Sequence, residues 1–410
     1  MAEAINDTVD AAPFSGAFWG LHIVNLNTGE TLYSRNADRA FVPASNVKLA
    51  TSAAALEQLG PDHRFRTRVY IDGPVKDGVL HGNLIVRGDG DPTLGGHRQR
   101  KDPTRVFRQW ADSLRAAGIR RIEGNIIGDG GPVEAPAHGH GWTWDDLTHG
   151  YGAPIGGLVF NENKVDLTVQ GRGVGDPARL QLEPFDTDYV TLNNKTRTVP
   201  GQADEEEEYQ REPGTNTFHI RTRVHPNAVE ETELAVSEPS RYFVHSLRQV
   251  LLWEGVPVTG RAASLDASGL SPQYRDTTYQ RVASYRSPPL SEIVQTLNRE
   301  SRNLYAEQLL RTLALEEDPD LDHRADETLP PDAPERGREA VYETLVRAGV
   351  DTSQVALADG SGLSRQNLLS PRSVIQVLRY IWHHESTALQ AAFYESLPPG
   401  GQDATLEYRY

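Results

Sequence analysis

The sequence predicts a multidomain α/β protein in which helix-rich segments at both ends of the chain enclose a β-rich middle. The 410 residues suffice for two or three domains with separate cores. Helix patterns lie at 45–59 and again after residue 285, whereas short apolar runs separated by glycine-rich turns fill the segment between them. The sequence contains no internal repeat and no long low-complexity segment.

Charge and residue content exclude several classes of protein. The net charge is −16 at pH 7, whereas a nucleic-acid-binding protein needs a basic surface. No run approaches the roughly 18 apolar residues of a transmembrane helix. Since the chain has no cysteine, disulfides, thiolate zinc sites and a cysteine nucleophile are excluded. The five lysines all precede residue 196; a salt-adapted host and an ordinary solvated acidic surface both stay open as explanations.

The N-terminal part predicts a β-hairpin followed by a helix. The β-prone runs 21–26 and 31–34 are joined by Asn27-Thr28-Gly29-Glu30, a turn sequence. An Ala/Leu-rich stretch follows Pro43 and ends at Gly60, which predicts a helix over 45–59.

The middle of the chain alternates between strands and turns. We expect a helix over 103–117 and a strand over 122–127 that ends in the turn Gly128-Asp129-Gly130. The segment 160–235 is β-rich, and its acidic run 204–208 predicts a solvated loop because like charges repel. A helix over 241–254 follows.

Helical patterns return near residue 285. Two helices over 287–317 are predicted to meet near Glu300. The acidic, proline-rich segment 318–336 is typical of a surface loop. Helices over 339–348 and 371–382 should flank the Gly/Ser-rich turn 358–371.

Ser45 and Lys48 form the pattern S-x-x-K at the start of the first of these helices. Residues three apart share a helix face, so the Lys48 amine can reach the Ser45 hydroxyl. In the first turn, free N–H groups and the positive helix end stabilise developing oxyanion charge. For Lys48 to act as a base, burial or another cation has to lower its pKa. An N-cap serine followed by a surface lysine fits the same pattern, so the pattern alone leaves both interpretations open.

A second element, Ser301-Arg302-Asn303, falls between two predicted helices. The Ser301 hydroxyl can pass on a proton, and the Asn303 amide can hold a substrate carbonyl. Ordinary helix caps explain such residues equally well in isolation. The two elements occur, however, in the order found in a known class of acyl-transferring enzymes.

These motifs and several longer segments resemble those of the low-molecular-mass penicillin-binding proteins of the D-Ala-D-Ala carboxypeptidase/endopeptidase type, the penicillin-binding protein 4 family. The similarity runs from about residue 20 to the last residue and is carried by FVPASNVKLATSAAAL, GNLIVRGDGDPTL, GWTWDDLTHGYGAPIGGLVFNENKV, ESRNLYAEQLLRTLA and DGSGLSRQNLLSP. It implies a serine β-lactamase/transpeptidase-like domain, residues 1–64 and 285–410, with a large β-rich insertion at 65–284. A third domain nested near 165–240 is a further expectation.

The resemblance also implies a reaction. Ser45 would attack the carbonyl of D-Ala-D-Ala or of a peptidoglycan cross-link, with Lys48 as its base, Ser301 as proton carrier and Asn303 as substrate holder. By local pattern, Asp129 and Arg365 would line the pocket for the stem-peptide side chain. β-Lactam antibiotics would acylate Ser45, no metal or organic cofactor is implied, and the place of action would be periplasmic or otherwise outside the cytoplasmic membrane.

Two departures from the family accompany the resemblance. Neither KTG nor KSG, the family's third motif, occurs in the chain, and no lysine follows Lys195. The first 20 residues lack the basic and apolar parts of a secretion signal. The expectation is therefore a form cut before the K-[ST]-G strand, whose loss would remove an oxyanion-hole donor and leave an unpaired sheet edge.

Other interpretations remain open. A truncated or catalytically dead relative would bind peptidoglycan without turnover, and a β-lactamase would share the fold. Ser361 is the nucleophile of a rival Ser-His-Asp hydrolase, although G-x-S-x-G is not satisfied. His138 and His140 could share a metal ion but lack an evident third ligand, and no H-E-x-x-H occurs around His383. Asp89-Gly90-Asp91 fits a turn better than a calcium loop. Nothing in the sequence indicates an oligomeric state.

Overall fold

The computed structural model describes residues 1–133, 136–201, 208–272, 274, 278–315, 333–401 and 405–406. The helices are α1 (Ala2–Val9), α2 (Val47–Leu59), α3 (Arg105–Ala116), α4 (Pro239–Trp253), α5 (Leu265–Ser268), α6 (Leu290–Arg299), α7 (Asn303–Leu313), α8 (Ala333–Arg347), α9 (Pro371–Trp382) and α10 (Thr387–Ser396). The strands are β1 (Leu21–Val24), β2 (Thr31–Arg35), β3 (Arg66–Ile71), β4 (Val75–Lys76), β5 (Val79–Leu80), β6 (Leu84–Arg87), β7 (Arg121–Ile122), β8 (Ile126–Asp129), β9 (Lys164–Gln170), β10 (Arg179–Glu183), β11 (Thr191–Asn194), β12 (Arg197–Thr198), β13 (Glu208–Arg211), β14 (Thr217–Arg221), β15 (Arg223–Val224), β16 (Val229–Ala235), β17 (Ala262–Ser264) and β18 (Gln280–Arg286).

The strands form several small sheets. The largest described sheet has the order β17-β8-β6-β3-β18, with β17, β8 and β6 parallel and β3 antiparallel to both of its neighbours. Strands β10, β9 and β16 form an antiparallel sheet of three. The hairpin of β1 and β2 pairs Leu21 with Arg35, as the turn residues between the two runs predicted.

Two large hydrophobic cores divide the chain between its ends and its middle. One core is built from apolar residues of α2, α6, α7, α8, α9 and α10, so it joins the N-terminal helix to the C-terminal ones. The other lies between 69 and 258 and is formed by the central sheet, β9, β14, α3 and α4. The predicted domain limits at 65 and 284, and a nested domain near 165–240, stay predictions.

Most predicted helices are present, with shifted ends. Helix α9 has the predicted bounds, and α6 and α7 meet at Glu300 as expected. Helix α8 begins at Ala333, six residues before the prediction, while α1 and α10 were not predicted. Residues 204–207 of the acidic run and 318–332 of the predicted surface loop lie outside the described residues.

Two local predictions were wrong in ways that bear on the site. Ser45 does not lie in an α-helix but in a 3₁₀ turn, Ala44–Asn46, after which α2 begins at Val47. The left-handed φ of +46° at Ala44, next to Pro43, keeps the chain from entering the α-helix earlier. Asp129 is not a turn residue, because it ends β8 and pairs with Arg87 in the parallel ladder of β6 and β8.

Candidate active site

Ser45, Lys48, Ser301 and Asn303, predicted from two distant motifs, come together around the Ser45 hydroxyl. The Lys48 Nζ lies 3.2 Å from the Ser45 Oγ, and the Ser301 hydroxyl donates to the same oxygen at 2.9 Å. Ser45 is exposed, whereas Lys48 is buried. The reactive oxygen is therefore open to solvent while the amine beside it is shielded.

The Lys48 amine has two further acceptors. Its Nζ donates to the Asn303 Oδ1 and to the Ser361 backbone oxygen, each at 2.6 Å. A neutral amine has two N–H donors and one lone pair. Since neither of these acceptors carries a hydrogen, a neutral Lys48 can use both donors on them and turn its lone pair toward the Ser45 hydroxyl.

Burial lowers the pKa of Lys48 to about 8, against the opposing attraction of the carboxylates of Glu307 and Asp359. Desolvation penalises the charged ammonium, so it favours the neutral amine that a general base requires. At neutral pH a useful fraction of Lys48 is already neutral, which the ordinary value of an exposed lysine would not allow.

Ser301 is held by the junction between α6 and α7. It has a left-handed φ of +54° just after the C-terminal end of α6, and the Arg302 N–H donates to the Leu297 carbonyl at 3.1 Å. This is the Schellman arrangement, in which glycine is the usual left-handed residue. Placing serine there costs about 1–2 kcal/mol. The strained conformation presents the hydroxyl to Ser45.

The Gly/Ser-rich turn after Asp359 aims its Ser361 carbonyl at Lys48. The Glu307 carboxylate accepts the N–H groups of Gly360 and Ser361, at 3.0 and 2.8 Å, from the helix that begins at Asn303. Burial, followed by the nearby charge of Asp359, raises the pKa of Glu307 to about 7. The turn is thus held by a buried carboxyl one helical turn beyond Asn303.

Asp359 holds the same turn from inside. Its Oδ1 accepts from the Gly362 N–H at 2.8 Å, and its Oδ2 accepts from the Ser364 N–H at 2.7 Å. The indole of Trp142 also donates to its Oδ2 at 2.9 Å. Asp359 therefore ties the segment around Trp142 to the turn that supplies an acceptor to Lys48.

That segment also reaches Asn303. The Asn303 Nδ2 donates to the Tyr151 carbonyl at 2.9 Å, which directs its Oδ1 toward Lys48. The Tyr151 hydroxyl has a raised pKa because of its burial and then the charge of Asp146. Carboxylates of the 139–152 segment thus lie next to a residue that holds Asn303.

Asp129 lies in a different environment. Its carboxylate is buried, accepts from Arg87 at 2.9 Å and from the Gly131 N–H at 2.8 Å, and also accepts from the Tyr274 hydroxyl. Within the described residues, these contacts all belong to the β-rich part of the chain and none joins Asp129 to the Ser45 cluster. Its predicted role in substrate binding stays a prediction without geometric support.

Arg365 is exposed in the turn that follows Asp359. Two residues of that turn, Ser364 and Asp359, are in contact through the Ser364 N–H, and Asp359 touches Trp142. The placement is compatible with a role at the substrate pocket, and that role stays a prediction.

The rival interpretations find no support in the geometry. The Ser361 hydroxyl is fully buried, 3.3 Å from the Asp359 Oδ2, and so is not an exposed nucleophile. Within the described residues, no three His, Cys, Asp or Glu side chains are grouped as metal ligands. In the same part of the chain, no helix combines the length and apolar character needed to cross a membrane.

Sequence reasoning missed four residues of the site: Trp142, Tyr151, Glu307 and Asp359. One signal for Glu307 was available, because it follows Asn303 by four residues and so shares its helix face. No local pattern predicts the contacts of Trp142 and Tyr151, since their partners Asp359 and Asn303 lie 217 and 152 residues further along the chain.

Comparison with known proteins agrees with this geometry. A model of the D-Ala-D-Ala carboxypeptidase 3 (S13) family matches residues 1–410. A D-alanyl-D-alanine carboxypeptidase of Actinomadura sp. (strain R39) is 30% identical over 386 residues, covering 92% of this chain and 67% of the relative. D-alanyl-D-alanine carboxypeptidase DacB of Haemophilus influenzae is 26% identical over 414 residues, covering 99% of this chain and 78% of that protein.

The fold itself matches a solved structure. The crystal structure of penicillin binding protein 4 (dacB) from Haemophilus influenzae superimposes with a TM-score of 0.75 at 24% identity, over 95% of this chain and 80% of that one. The same protein complexed with a novel β-lactam gives a TM-score of 0.72 at 22% identity, over 100% of this chain and 83% of that one. The predicted fold class, a transpeptidase-like fold with additional β-rich structure, is confirmed.

Proposed function

This chain belongs to the D-Ala-D-Ala carboxypeptidase 3 (S13) family, and we propose that it is a serine-type D-Ala-D-Ala carboxypeptidase and endopeptidase with Ser45 as its nucleophile. The observation that carries the proposal is the convergence of the Lys48 amine and the Ser301 hydroxyl on the exposed Ser45 oxygen. A hydroxyl beside a base, with that base oriented by a third group, is the arrangement of nucleophilic catalysis.

The geometry supports the first half of the proposed reaction, in which Ser45 is acylated. Neutral Lys48 takes the proton of Ser45 while the Ser45 Oγ attacks the carbonyl carbon of the penultimate D-Ala. Ser45 lies in the turn before α2, where the partial positive charge of the helix start stabilises the oxyanion. The proposed role of Asn303 is to orient the substrate, and its amide is held between Lys48 and Tyr151.

The second half returns the proton and releases the acyl group. Ser301 donates to Ser45 at 2.9 Å and can pass the proton from Lys48 to the leaving amine of the terminal D-Ala. The C–N bond breaks as that amine leaves, and an ester to Ser45 remains. Water then attacks this ester while Lys48 accepts a proton from it. The bond between the acyl carbon and the Ser45 Oγ breaks, Lys48 returns the proton to that oxygen, and the shortened stem peptide leaves as a carboxylic acid.

Peptidoglycan stem peptides and their cross-links are the proposed substrates, and β-lactam antibiotics are the proposed inhibitors. A relative with this fold has been solved as a β-lactam complex. A β-lactam amide opened by Ser45 would give the same kind of acyl-enzyme as D-Ala-D-Ala. Because peptidoglycan lies outside the cytoplasmic membrane, we propose that the protein acts there.

The test is the intact mass of the protein after incubation with benzylpenicillin, beside Ser45→Ala. We expect a gain of one drug mass in the wild type and none in the variant, with peptide mapping placing the adduct on the peptide that contains Ser45. Release of D-Ala from a stem pentapeptide then measures turnover. A folded wild type that binds the pentapeptide without an adduct or D-Ala release would instead identify a non-catalytic binding protein, and an adduct on Ser361 would contradict the assignment of Ser45.

A further inference from the structure

Arg302, the middle residue of the Ser301–Asn303 element, contacts charged residues of the β-rich part of the chain. Its Nη1 lies 3.4 Å from both the Glu162 Oε2 and the Glu233 Oε1, and its Nη2 lies 3.4 Å from the His97 Nδ1. Only 16% of its side chain is exposed. We infer that Arg302 is a positioning residue that, through these contacts, holds the Ser301 hydroxyl and the Asn303 amide; the inference rests on the proposed function.

The charges around Arg302 form a connected network. The Glu233 Oε1 is also 2.6 Å from the Lys164 Nζ, and that amine is 2.6 Å from the Asp166 Oδ1. The Lys164 side chain is only 4% exposed. Lys164 is buried and its carboxylate partners are half-buried, so water screens these ion pairs less than it screens fully exposed pairs.

The pKa shifts agree with this pairing. Burial lowers the pKa of Arg302, but the nearby charges of Glu162 and Glu233 outweigh that effect, and its pKa is raised overall. For Glu233, burial alone would raise the pKa, but the positive charges of Lys164 and Arg302 have the larger effect, and the pKa is lowered overall. Each group is therefore held charged by its partners.

Glu162 is presented from a strained turn. The three residues Asn161, Glu162 and Asn163 all have a left-handed φ, at +47°, +55° and +55°. Amides of the flanking asparagines hold the turn, with Asn163 donating to the Pro154 carbonyl at 2.8 Å and Asn161 donating to the Lys164 carbonyl at 3.0 Å. Backbone strain of this kind persists only where the surrounding structure determines it. The Glu162 carboxylate is thus kept in one place for Arg302.

The network supports Asn303 from two sides. On one side, Arg302 is its neighbour in the chain and closes the turn that gives Ser301 its left-handed conformation. On the other, Gly150 packs so closely on Glu233 that a Cβ there would lie 2.6 Å from the Glu233 Cβ. The backbone carbonyl of the next residue, Tyr151, accepts a hydrogen bond from the Asn303 Nδ2. Glu233 therefore contacts Arg302, the residue before Asn303, and Gly150, the residue before the one that accepts the hydrogen bond of the Asn303 amide.

The consequence is that chemistry at Ser45 depends on charges more than 60 residues away in sequence from Ser301. Without the positive charge of Arg302, Glu162 and Glu233 lose the cation that they share. The turn at Ser301 then keeps its backbone hydrogen bond from Arg302 to Leu297 but loses the side-chain contacts that fix it against the β-rich part of the chain. A displacement of about 1 Å at a catalytic group can slow a reaction about a hundredfold.

The experiment compares Arg302→Gln, Arg302→Lys and Glu233→Gln with two matched controls. Arg347→Gln removes an arginine from a different ion pair, which joins α8 to Glu57 of α2. Glu231→Gln makes the same charge change as Glu233→Gln, on the same strand but at an exposed position. For each protein we would measure hydrogen–deuterium exchange across residues 298–306, and the acylation rate constant with saturating benzylpenicillin separately from the dissociation constant of the non-covalent complex.

We expect Arg302→Gln and Glu233→Gln to speed exchange at 298–306 without speeding it in α9, and to slow acylation about tenfold to a hundredfold. Arg302→Lys should recover part of that loss because it keeps the charge, although one ammonium cannot reproduce the planar fork of arginine. Both controls should stay within about twofold of the wild type in each readout.

Three outcomes would overturn the inference: unchanged exchange at 298–306 in Arg302→Gln, a uniform rise in exchange across the protein, or equal defects in Arg302→Lys and Arg302→Gln. The exchange measurement does not require activity. If the wild type were not acylated at Ser45, the proposed function would fail, while exchange would still decide whether Arg302 positions Ser301 and Asn303.

Discussion

Lys48 and Asn303 are 255 residues apart in sequence, yet the Lys48 Nζ and the Asn303 Oδ1 lie 2.6 Å apart. This contact joins the start of α2 to the first residue of α7 and leaves the lysine lone pair available to Ser45. The orientation of one amide thus determines how Lys48 can be used.

Asn303→Asp should therefore disturb the base directly. A carboxylate beside the Lys48 ammonium favours its charged form and should raise its pKa by at least about one unit. We expect the acylation rate at pH 7 to fall at least about tenfold, and the pH at which the rate rises to move upward. Stopped-flow acylation across pH measures both. Asn303→Ala is the control, since it removes the contact without adding charge; an upward shift in that variant as well would contradict the explanation.

The pH dependence of the wild type should follow the protonation of Lys48. Because the neutral amine is the base and the pKa is about 8, acylation should rise as pH increases and level off above that value. Lys48→Arg stays protonated, so it should be slower by about 10²–10⁴-fold and lack the rise. The measurement is the acylation rate constant of both proteins between about pH 6 and pH 9, where unfolding must be excluded by circular dichroism. A wild-type rate that does not change over this range would rule out Lys48 as the base.

Glu307 should make stability depend on pH. Its pKa is raised to about 7 in the folded protein, above the ordinary glutamate value, so the folded state binds the extra proton. Its contribution to stability is fully present below the unfolded pKa and is lost as pH rises through 7, a change of about 3 kcal/mol. Glu307→Gln should remove this slope, as measured by urea unfolding at several pH values. Glu339→Gln, at an exposed position of α8, should keep it.

The same substitution should act on the base. The charge of Glu307 favours protonated Lys48, so Glu307→Gln should lower the pKa of Lys48 and move the rise in acylation rate to lower pH. The pH profile of acylation tests this. A profile that stays in place, or moves upward, would show that Glu307 does not act on Lys48 through its charge.

Gly362→Ala should damage the turn that faces Lys48. Gly362 has a φ of +84°, and a Cβ there would lie 1.9 Å from the Ala44 carbonyl oxygen, next to Ser45. Strain and overpacking together should cost about 3 kcal/mol of unfolding free energy. Gly255→Ala is the control, with a φ of +76° and no atom within 4 Å of the added Cβ, and should cost only about 1 kcal/mol. If both variants lost the same unfolding free energy in denaturant, the backbone at Ala44 would be able to move away from the added methyl group at little cost, which would contradict the prediction.

Local patterns in the sequence predicted most of the helices and the proximity of Ser45 and Lys48. The i, i+3 spacing of Ser45 and Lys48 holds in a 3₁₀ turn as in an α-helix, so their proximity survived the shift of the start of α2 to Val47. Periodicity likewise predicted α9 at its observed bounds. The local sequence did not predict the conformation of Ser301, because the residue with a left-handed φ at the end of a helix is usually glycine and only rarely serine.

The tertiary structure alone decided which side chains surround the pair. The hydrogen bond between Lys48 and Ser45, three residues apart, follows from the local backbone geometry. The desolvation that lowers the pKa of Lys48 instead depends on all the residues packed around its side chain. The charges of Glu307 and Asp359, which lie in distant segments, also act on the pKa of Lys48. The buried pairing of Asp129 with Arg87 is likewise a long-range contact, and the predicted role of Asp129 at the substrate pocket stays a prediction. The sequence by itself thus identified the proposed nucleophile and its proposed base, and long-range packing determined the pKa of Lys48 and the contacts that hold it.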